Sequence, residues 1–598
     1  MATLCIGSAP IYQNACIHNF RLQRPRRFIS KSMTKTMPDA NPLDLRRRSG
    51  NYQPSSWDHS YLLSIENKYV NEKEVITRHV LKKKVKKMLE EVETKSRLEK
   101  LELIDDLQKL GVSYHFEQEI NNILTNFHLE NGKNIWKCDK EEDLHATALE
   151  FRLLRQHGFG VSEDIFDVII DKIESNTFKS DNITSIITLY EASYLSTKSD
   201  TKLHKVIRPF ATEQIRNFVD DESETYNIML REMAIHALEI PYHWRMRRLE
   251  KRWYIDAYEK KHDMNLFLAE FAKIDFNIVQ TAHQEDVKYV SCWWKETGLG
   301  SQLHFVRDRI VENYFWTVGM IYEPQFGYIR RIVAIVAALI TVIDDIYDIY
   351  GTPEELELFT AMVQNWDINR LDELPEYMKL CFLTLFNEIN AMGCDVLKCK
   401  NIDVIPYFKK SWADLCKAYL VEAKWYKGGY KPSVEEYMQN AWISISAPTM
   451  LIHFYCAFSD QISVQILESL VQQQQDVVRC SATVLRLAND LATSPDELAR
   501  GDVLKSVQCY MHETGVSEEE ARTHVQQMIS HTWDEMNYEA RTVARSSSLL
   551  SRGFVETAMN LARMSQCMYQ HGDGHGCPDK AKIVDRVQTL LVDPIPLD

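Results

Sequence analysis

Apolar residues recur along most of the chain at the three- and four-residue spacing of an amphipathic α-helix. Leu101, Leu103, Ile104, Leu107 and Leu110, for example, fall on one broad face. We find no convincing run of alternating apolar and polar residues, which would indicate half-buried strands. The 598 residues include 20 Gly and 17 Pro, so breaks are sparse and the elements between them are long. The pattern predicts an all-α protein.

A chain of 598 residues is too long for one hydrophobic core. Its composition, with 45% hydrophobic and 26% charged residues, is typical of globular domains. A Lys-rich polar stretch at residues 258–263 separates two helical blocks. We therefore expect an unstructured segment over residues 1–46, an N-terminal α-helical domain over 47–262 and a C-terminal α-helical domain over 263–598.

The first candidate for chemistry is the acidic group Asp344, Asp345 and Asp348, which follows the apolar run 332–343. The run predicts a buried helix that ends at Gly351. Acids are unfavourable at a helix C-terminus because the helix dipole is already negative there, and like charges four residues apart add to the cost. A divalent cation shared by Asp344 and Asp348 offsets both effects, and oxygen ligands suit Mg²⁺. The alternative is a solvated acidic helix end.

A second oxygen-rich group lies later in the chain. Asn489, Thr493 and Glu497 fall at positions i, i+4 and i+8, which form one stripe of a helix with amide, hydroxyl and carboxylate oxygens. The alternative is that Ser494 begins a new helix, with Pro495 at its first position and Glu497 completing a capping box. Pro495 also disfavours a continuous helix because its ring clashes with the preceding turn.

Five cations flank these groups: Arg307 and Arg309 precede the aspartates, Arg486 lies one turn before Asn489, and Arg500 and Lys505 follow Glu497. Guanidinium groups bind phosphate oxygens in a forked geometry, and Lys adds a point charge. Two acidic metal motifs with such neighbours suit a cluster of diphosphate and metal ions. For each cation taken alone, a surface position is the alternative.

Aromatic faces stabilise cations without attacking them, although single rings more often serve core packing. The candidates near the charged motifs are Tyr314, Phe315, Trp316, Tyr419, Trp425 and Tyr426.

The segment 569–577 holds Tyr569, His571, His575 and Cys577 in a Gly-rich context. The two His and the Cys could bind zinc, but no fourth ligand is evident. A role as a lid or as a proton acceptor is the more plausible interpretation.

The charge of the chain is unevenly distributed. Residues 1–48 hold nine Lys and Arg against two Asp, so this segment carries +7 and the remainder −22 of the net −15. A basic, acid-poor head predicts an organelle transit peptide, with a disordered basic tail as the alternative. The acidic remainder argues against nucleic acid as a partner, and the run 332–343 is too short to span a bilayer. The 13 scattered Cys are interpreted as reduced thiols.

Together these features resemble plant class I terpene synthases, specifically the angiosperm monoterpene synthase group, over nearly all of the chain after residue 46. Residues 344–348 resemble the aspartate-rich motif of that family, and residues 489–497 resemble its second metal motif. Arg47 and Arg48, which eight residues separate from Trp57, resemble its tandem-arginine motif.

The resemblance implies a C-terminal class I terpenoid synthase helical bundle, with the segment of Arg47, Arg48 and Trp57 folded over its mouth as a lid. It implies a cluster of three Mg²⁺ or Mn²⁺ ions held by oxygen ligands, namely Asp344, Asp348, Asn489, Thr493 and Glu497. The implied diphosphate-binding cations are Arg307, Arg486 and Lys505, to which we add Arg309. The implied cavity wall contains Trp316, Tyr419, Ala337, Ile445 and Met450. Tyr569 and His575 match positions proposed for proton handling.

The expected activity is metal-dependent ionisation of geranyl diphosphate in the plastid stroma by a monomer or homodimer. Proton loss or water capture then gives a C10 olefin or alcohol and diphosphate. Pro495 interrupts the second metal motif, and Ala447 replaces the Gly that many relatives have at a helix break. Ala337 and Leu485 stand where isoprene-forming relatives have Phe, which argues for a deeper pocket.

Three alternatives stay open. A prenyl-chain elongating enzyme would normally carry two motifs of the first kind. A sesquiterpene synthase would act on farnesyl diphosphate, and a catalytically inactive helical scaffold would release no diphosphate from any prenyl substrate. The identity of the product is not predicted.

Overall fold

The structure is a computed structural model that describes residues 50–597 apart from 51, 92–94, 132–137, 139–142, 180–181, 222–227, 501–502, 546–549 and 579–581. The side chains of residues 131, 495–500 and 545 also lie outside the description. Every regular element in the described ranges is helical, so the predicted all-α fold is confirmed. Residues 1–46, Arg47 and Arg48 lie outside the described residues.

The described residues of the first block form ten α-helices. They are α1 (His59–Ser64), α2 (Glu72–Glu90), α3 (Arg97–Lys109), α4 (Glu117–Asn131), α5 (Leu144–Gln156), α6 (Asp167–Glu174), α7 (Ile183–Ser193), α8 (Arg208–Asp220), α9 (Ile228–Glu239) and α10 (Arg247–Tyr258). The apolar face predicted from residue 101 onward is the buried side of α3.

The second block contains the longer helices. They are α11 (Leu266–Thr297), α12 (Leu299–Gln302), α13 (Ile310–Met320), α14 (Gly327–Asp345), α15 (Pro353–Asn365), α16 (Glu376–Lys400), α17 (Ile405–Gly428), α18 (Val434–Ser444), α19 (Ala447–Phe458), α20 (Val464–Val471), α21 (Asp476–Arg500), α22 (Ser506–Thr514), α23 (Glu518–Arg545), α24 (Arg552–Tyr569) and α25 (Ile583–Val587). Short 3₁₀ segments cover Ser113–His115, Glu163–Phe166, Tyr242–Trp244, Pro324–Phe326 and Ile368–Glu373, and π-helical turns cover Leu203–Ile207, Ile346–Tyr350 and Gln588–Val592.

Helix α14 forms the centre of the second block. All residues of 333–343 are buried, because α11, α13, α16 and α19 pack around the helix. A helix that is apolar on all sides is expected in such a position. Helix α21 packs against α23 and α24 on the other side of the bundle. The predicted domain boundary at residue 262 falls between α10 and α11, and one apolar cluster runs through both blocks.

Among the described residues, two stretches are long and apolar enough to cross a membrane by length and composition, Glu376–Lys400 and Val434–Phe458. The second is 72% buried inside the protein and is broken between α18 and α19. Ser446 makes that break with a left-handed backbone (φ 69°). The predicted break therefore exists, and Ser446 adopts the conformation that Gly would favour.

Candidate functional site

A cavity in the second block brings together most of the side chains singled out in the sequence. Its wall is built from α13, α14, α17, α18, α19, α21 and α24 with the segments that follow α21 and α24. The predicted site residues that line it are Arg307, Trp316, Asp344, Asp348, Tyr419, Arg486, Asn489, Thr493, Lys505, Tyr569 and His575. The predicted wall residues Ala337, Ile445, Met450 and Leu485 also line it.

The first acidic group lies where α14 continues into the π-helical turn Ile346–Tyr350. Asp344 and Asp348 face the cavity, and the Asp344 side chain is 28% exposed. Asp345 points away from the cavity and is fully buried. The Asp345 carboxylate accepts a hydrogen bond from the backbone N–H of Arg307 (2.8 Å) and pairs with the Arg307 Nε (2.9 Å). The three acids therefore differ in role. Asp344 and Asp348 face the cavity, whereas Asp345 pairs with Arg307.

The second group lies on α21, which runs without a break from Asp476 to Arg500. Helix α21 places Asn489 and Thr493 at the cavity, and the Thr493 hydroxyl donates to the Asn489 carbonyl (3.0 Å). The Glu497 side chain lies outside the described residues.

The alternative in which Ser494 starts a new helix is wrong, because α21 is continuous through Pro495. Proline leaves the carbonyl four residues before it, that of Leu491, without its helical donor. The Arg522 guanidinium on α23 donates to that carbonyl instead (2.7 Å). The Ser494 hydroxyl accepts a hydrogen bond from the Gln508 side chain rather than capping a helix. A contact from another helix thus stabilises the irregular turn.

Three cations surround the oxygen donors. Arg307 pairs with Asp344, and its guanidinium lies 4.9 Å from the centre of the Tyr52 ring. Burial lowers the pKa of Arg307, but Asp345, Tyr52 and Asp344 outweigh it and hold this pKa well above its usual value. Arg486 contacts the Asn489 side chain, and Lys505 Nζ lies 3.4 Å from Glu422 Oε2. Positive charge is therefore concentrated around the carboxylate, amide and hydroxyl oxygens.

The prediction placed Arg309 beside the diphosphate. This placement is wrong, because Arg309 does not line the cavity. Its buried guanidinium donates to the carbonyls of Gln53, His575 and Gly576 at 2.9–3.0 Å. A side chain saturated by backbone carbonyls is a structural anchor. Arg309 joins the N-terminal segment to the loop that follows α24.

The aromatic candidates differ in location. Trp316 and Tyr419 face the cavity. Tyr314 and Phe315 are buried in the core, and Tyr426 is exposed. The Trp316 and Tyr569 ring centres are 6.0 Å apart. Burial, reinforced by the nearby Asp344 and Asp348, raises the pKa of Tyr419 well above its usual value. Tyr419 therefore presents a neutral ring to the cavity.

His575 faces the cavity from the loop after α24. Its Nε2 lies 3.2 Å from the Thr341 hydroxyl, and the Asp573 carboxylate accepts from the backbone N–H groups of His575 (3.1 Å) and Gly576 (2.7 Å). Burial, with Arg307 and Arg309 nearby, lowers the pKa of His575 well below its usual value. The imidazole is thus neutral, and the same burial and positive charges disfavour its protonated form.

Tyr52, Glu422 and Asp573 also line the cavity, although no sequence pattern predicted them as site residues. Tyr52 lies between the tandem arginines and Trp57, so its closeness to that motif was the one available signal. Trp57, which belongs to the same N-terminal segment, is buried and does not line the cavity. Glu422 lies one turn beyond Tyr419 and was indistinguishable by pattern from other helical acids.

Glu312 on α13 is a fully buried carboxyl beneath the N-terminal segment. Burial raises its pKa from 4.5 to about 7, although Arg309 and Trp57 lower it.

We predict that Glu312→Gln stabilises the protein at pH 8. Because the folded-state pKa is raised, the folded form binds more protons than the unfolded form between pH 4.5 and 7, and stability falls as pH rises through that window. At pH 8 the buried charge costs about 3 kcal/mol, which the Gln variant avoids. Thermal melting from pH 5 to 8.5 should give equal melting temperatures at the acid end and a higher value for the variant at pH 8. A variant less stable than the parent at pH 8 would contradict this.

The donor set at the cavity fits hard divalent cations. Asp344 and Asp348 supply carboxylates, and Asn489 and Thr493 supply neutral oxygens across the same cavity. Such oxygen-only sets suit Mg²⁺ and Mn²⁺. Nowhere in the described part of the chain do three or more His, Cys, Asp or Glu side chains form a group that could hold a metal ion. Zinc binding by the segment 569–577 therefore has no structural support.

Comparison with known proteins gives a consistent result. Residues 295–535 match the metal binding domain of the terpene synthase family, and residues 56–238 match the terpene synthase N-terminal domain. The chain is 99% identical to β-myrcene/(E)-β-ocimene synthase 2, chloroplastic, of Arabidopsis thaliana, with 100% of both chains covered.

Two solved structures of terpene-forming enzymes are similar to this chain over most of its length. Limonene synthase with 2-fluorolinalyl diphosphate has a TM-score of 0.86 and 43% identity, covering 92% of this chain and 100% of that one. Isoprene synthase from grey poplar leaves (Populus x canescens), in complex with three Mg²⁺ ions and dimethylallyl-S-thiolodiphosphate, has a TM-score of 0.80 and 41% identity. It covers 91% of this chain and 99% of that one.

The chain belongs to the terpene synthase family, whose C-terminal domain binds metal. It is a lyase acting on diphosphates. Within the family it is a chloroplast monoterpene synthase, as the sequence predicted.

Proposed function

We propose that this enzyme converts geranyl diphosphate into the acyclic trienes β-myrcene and (E)-β-ocimene with three Mg²⁺ or Mn²⁺ ions. The observation that carries the proposal is the cavity, in which oxygen donors from two helices, three cations and an apolar and aromatic wall meet. The names of the near-identical Arabidopsis relative and the three Mg²⁺ ions of the poplar enzyme support the products and the ion count.

Asp344 and Asp348 would hold ions on one side of the cavity, and Asn489 and Thr493 would hold them on the other. We include Glu497 as a further ligand because of its position on α21, one turn beyond Thr493. When bound, the ions supply Lewis-acid neutralisation of the diphosphate and so make it a better leaving group.

Arg307, Arg486 and Lys505 would bind the diphosphate oxygens. Arg307 is oriented by the buried Asp345, so little reorganisation of this side chain accompanies substrate binding. These side chains stabilise the negative charge that develops on the leaving group as the allylic C–O bond breaks.

Trp316 and Tyr419 would stabilise the allylic cation through the negative faces of their rings. The neutral Tyr419 phenol does not capture the cation as a phenolate would. Ala337, Ile445 and Leu485 complete a wall that is apolar around the hydrocarbon chain. The N-terminal segment, including the predicted lid residues Arg47 and Arg48, would close the mouth and exclude water.

Proton loss ends the reaction. The C10H17⁺ cation loses one proton, from the methyl group on the cationic carbon or from the adjacent methylene, to give two isomeric C10H16 trienes. We assign the proton acceptor as His575, which is neutral and faces the cavity. Tyr569 is the weaker candidate because burial raises its pKa and keeps it protonated.

The test uses the chain from residue 47 onward with Mg²⁺ and equal concentrations of geranyl or farnesyl diphosphate. Released volatiles are identified by gas chromatography with mass spectrometry, and diphosphate is assayed in parallel. We expect β-myrcene and (E)-β-ocimene as the main products from the C10 substrate. Mainly cyclic products would refute the product assignment, and preferred turnover of farnesyl diphosphate would refute the substrate assignment.

A further inference from the structure

The carboxylate of Asp490 is fully buried on α21 and faces away from the cavity. It accepts hydrogen bonds from Arg486 Nε (2.7 Å), from the Tyr437 hydroxyl on α18 (3.1 Å) and from the backbone N–H of Ser506 at the start of α22 (3.1 Å). One carboxylate thus connects three helices behind the cavity wall.

Two of these contacts lead directly to cavity cations. Arg486 lines the cavity and also contacts the Asn489 side chain. Ser506 follows Lys505, whose Nζ reaches Glu422 in the cavity wall. Asp490 therefore contacts the backbone next to one cation and the guanidinium of another.

A buried carboxylate is costly unless it is paired and hydrogen-bonded, and Asp490 meets this condition through Arg486, Tyr437 and the backbone N–H of Ser506. A long arginine side chain loses less conformational freedom on binding an anion when it is already held in place. The Asp490 carboxylate pairs with Arg486 at its Nε (2.7 Å) and at one terminal nitrogen (2.6 Å), and that terminal nitrogen also contacts the Asn489 side chain. This arrangement suits preorganised recognition of an anion.

We propose that Asp490 is a positioning residue that holds Arg486, and the start of α22 with Lys505, in the orientation that receives the diphosphate. The proposal rests on the diphosphate-binding role of Arg486 and Lys505 proposed above. Asp490 itself does not touch the substrate.

Isothermal titration of the purified protein with inorganic diphosphate and Mg²⁺ tests the proposal without turnover. The proteins compared are the parent, Asp490→Asn, Arg486→Gln and the double variant. We expect Asp490→Asn to weaken diphosphate binding about tenfold or more, the effect of one charge-assisted hydrogen bond. The double variant should bind diphosphate less weakly than the sum of the two single effects predicts, because part of the effect of Asp490 is exerted through Arg486 and only the part exerted through Lys505 remains.

Thermal melting of each variant establishes that it folds, and Asp476→Asn is the matched control. Asp476 is an exposed acid in the first turn of the same helix, so its variant should bind diphosphate like the parent. If Asp490→Asn does not fold, Asp490→Glu replaces it, because a displaced carboxylate should weaken binding similarly.

The two possible failures are distinguishable. If Arg486→Gln leaves diphosphate affinity unchanged, the proposed role of Arg486 fails. If Arg486→Gln weakens binding but the Asp490 variant does not, or if the two effects add fully, the positioning role of Asp490 is overturned.

Discussion

Replacement of Asp344 by Ala is expected to lower kcat/KM for geranyl diphosphate by about 10³-fold. The carboxylate is a proposed metal ligand at the cavity, and loss of a ligand that stabilises the departing diphosphate costs about 4 kcal/mol of transition-state stabilisation. Stability should change by less than about 1 kcal/mol, because an acid at a helix C-terminus opposes the helix dipole and Arg307 keeps its pairing with Asp345. Diphosphate release and thermal melting measure the two effects.

Asp372→Ala is the matched control for this experiment. The Asp372 side chain is fully exposed on the second block, so its removal should leave activity and melting temperature unchanged. Normal turnover by Asp344→Ala with saturating Mg²⁺ would refute the assignment of Asp344 as a ligand.

Arg307→Met should damage both activity and stability. Activity should fall at least about 10²-fold because a guanidinium that stabilises the leaving group is lost. Stability should fall by about 3–5 kcal/mol, because the fully buried Asp345 is left without its ionic partner. The double variant Arg307→Met/Asp345→Asn removes that unpaired charge, so we expect its melting temperature to recover while its activity stays low. Steady-state kinetics and thermal melting separate these two consequences.

Arg370→Met provides the control, since Arg370 pairs with Glu373 on the surface and such pairs contribute little. If the Asp345→Asn change restores no stability in the Arg307→Met background, the buried pair is not what stabilises this corner of the fold.

The helices and the first acidic group were predictable because their signals are local. The apolar run 332–343 has one consistent interpretation, a buried helix, and the positions of Asp344 and Asp348 follow from helical geometry. The same helical geometry predicts that Asp345 points away from the face that Asp344 and Asp348 share. Its pairing with Arg307, 38 residues earlier, does not.

The wrong expectations concern positions at which a contact between residues far apart in sequence overrides a local sequence rule. Pro495 argued against a continuous α21, but Arg522 on another helix satisfies the carbonyl that the proline releases. Arg307 and Arg309 are two residues apart and look equivalent in sequence. Only the fold shows that one faces the cavity and the other is held by four backbone carbonyls. Tyr52 and Asp573 reach the cavity from the two ends of the described chain, and no spacing rule relates them.

The central claim is that the oxygen donors of α14 and α21 share one cluster of divalent ions. Anomalous diffraction from crystals of the enzyme with Mn²⁺ and inorganic diphosphate tests it most directly. We expect manganese peaks inside the cavity, on both the side of Asp344 and Asp348 and the side of Asn489 and Thr493, with diphosphate between them. Manganese confined to other surfaces, or bound at one side alone with diphosphate elsewhere, would contradict the account.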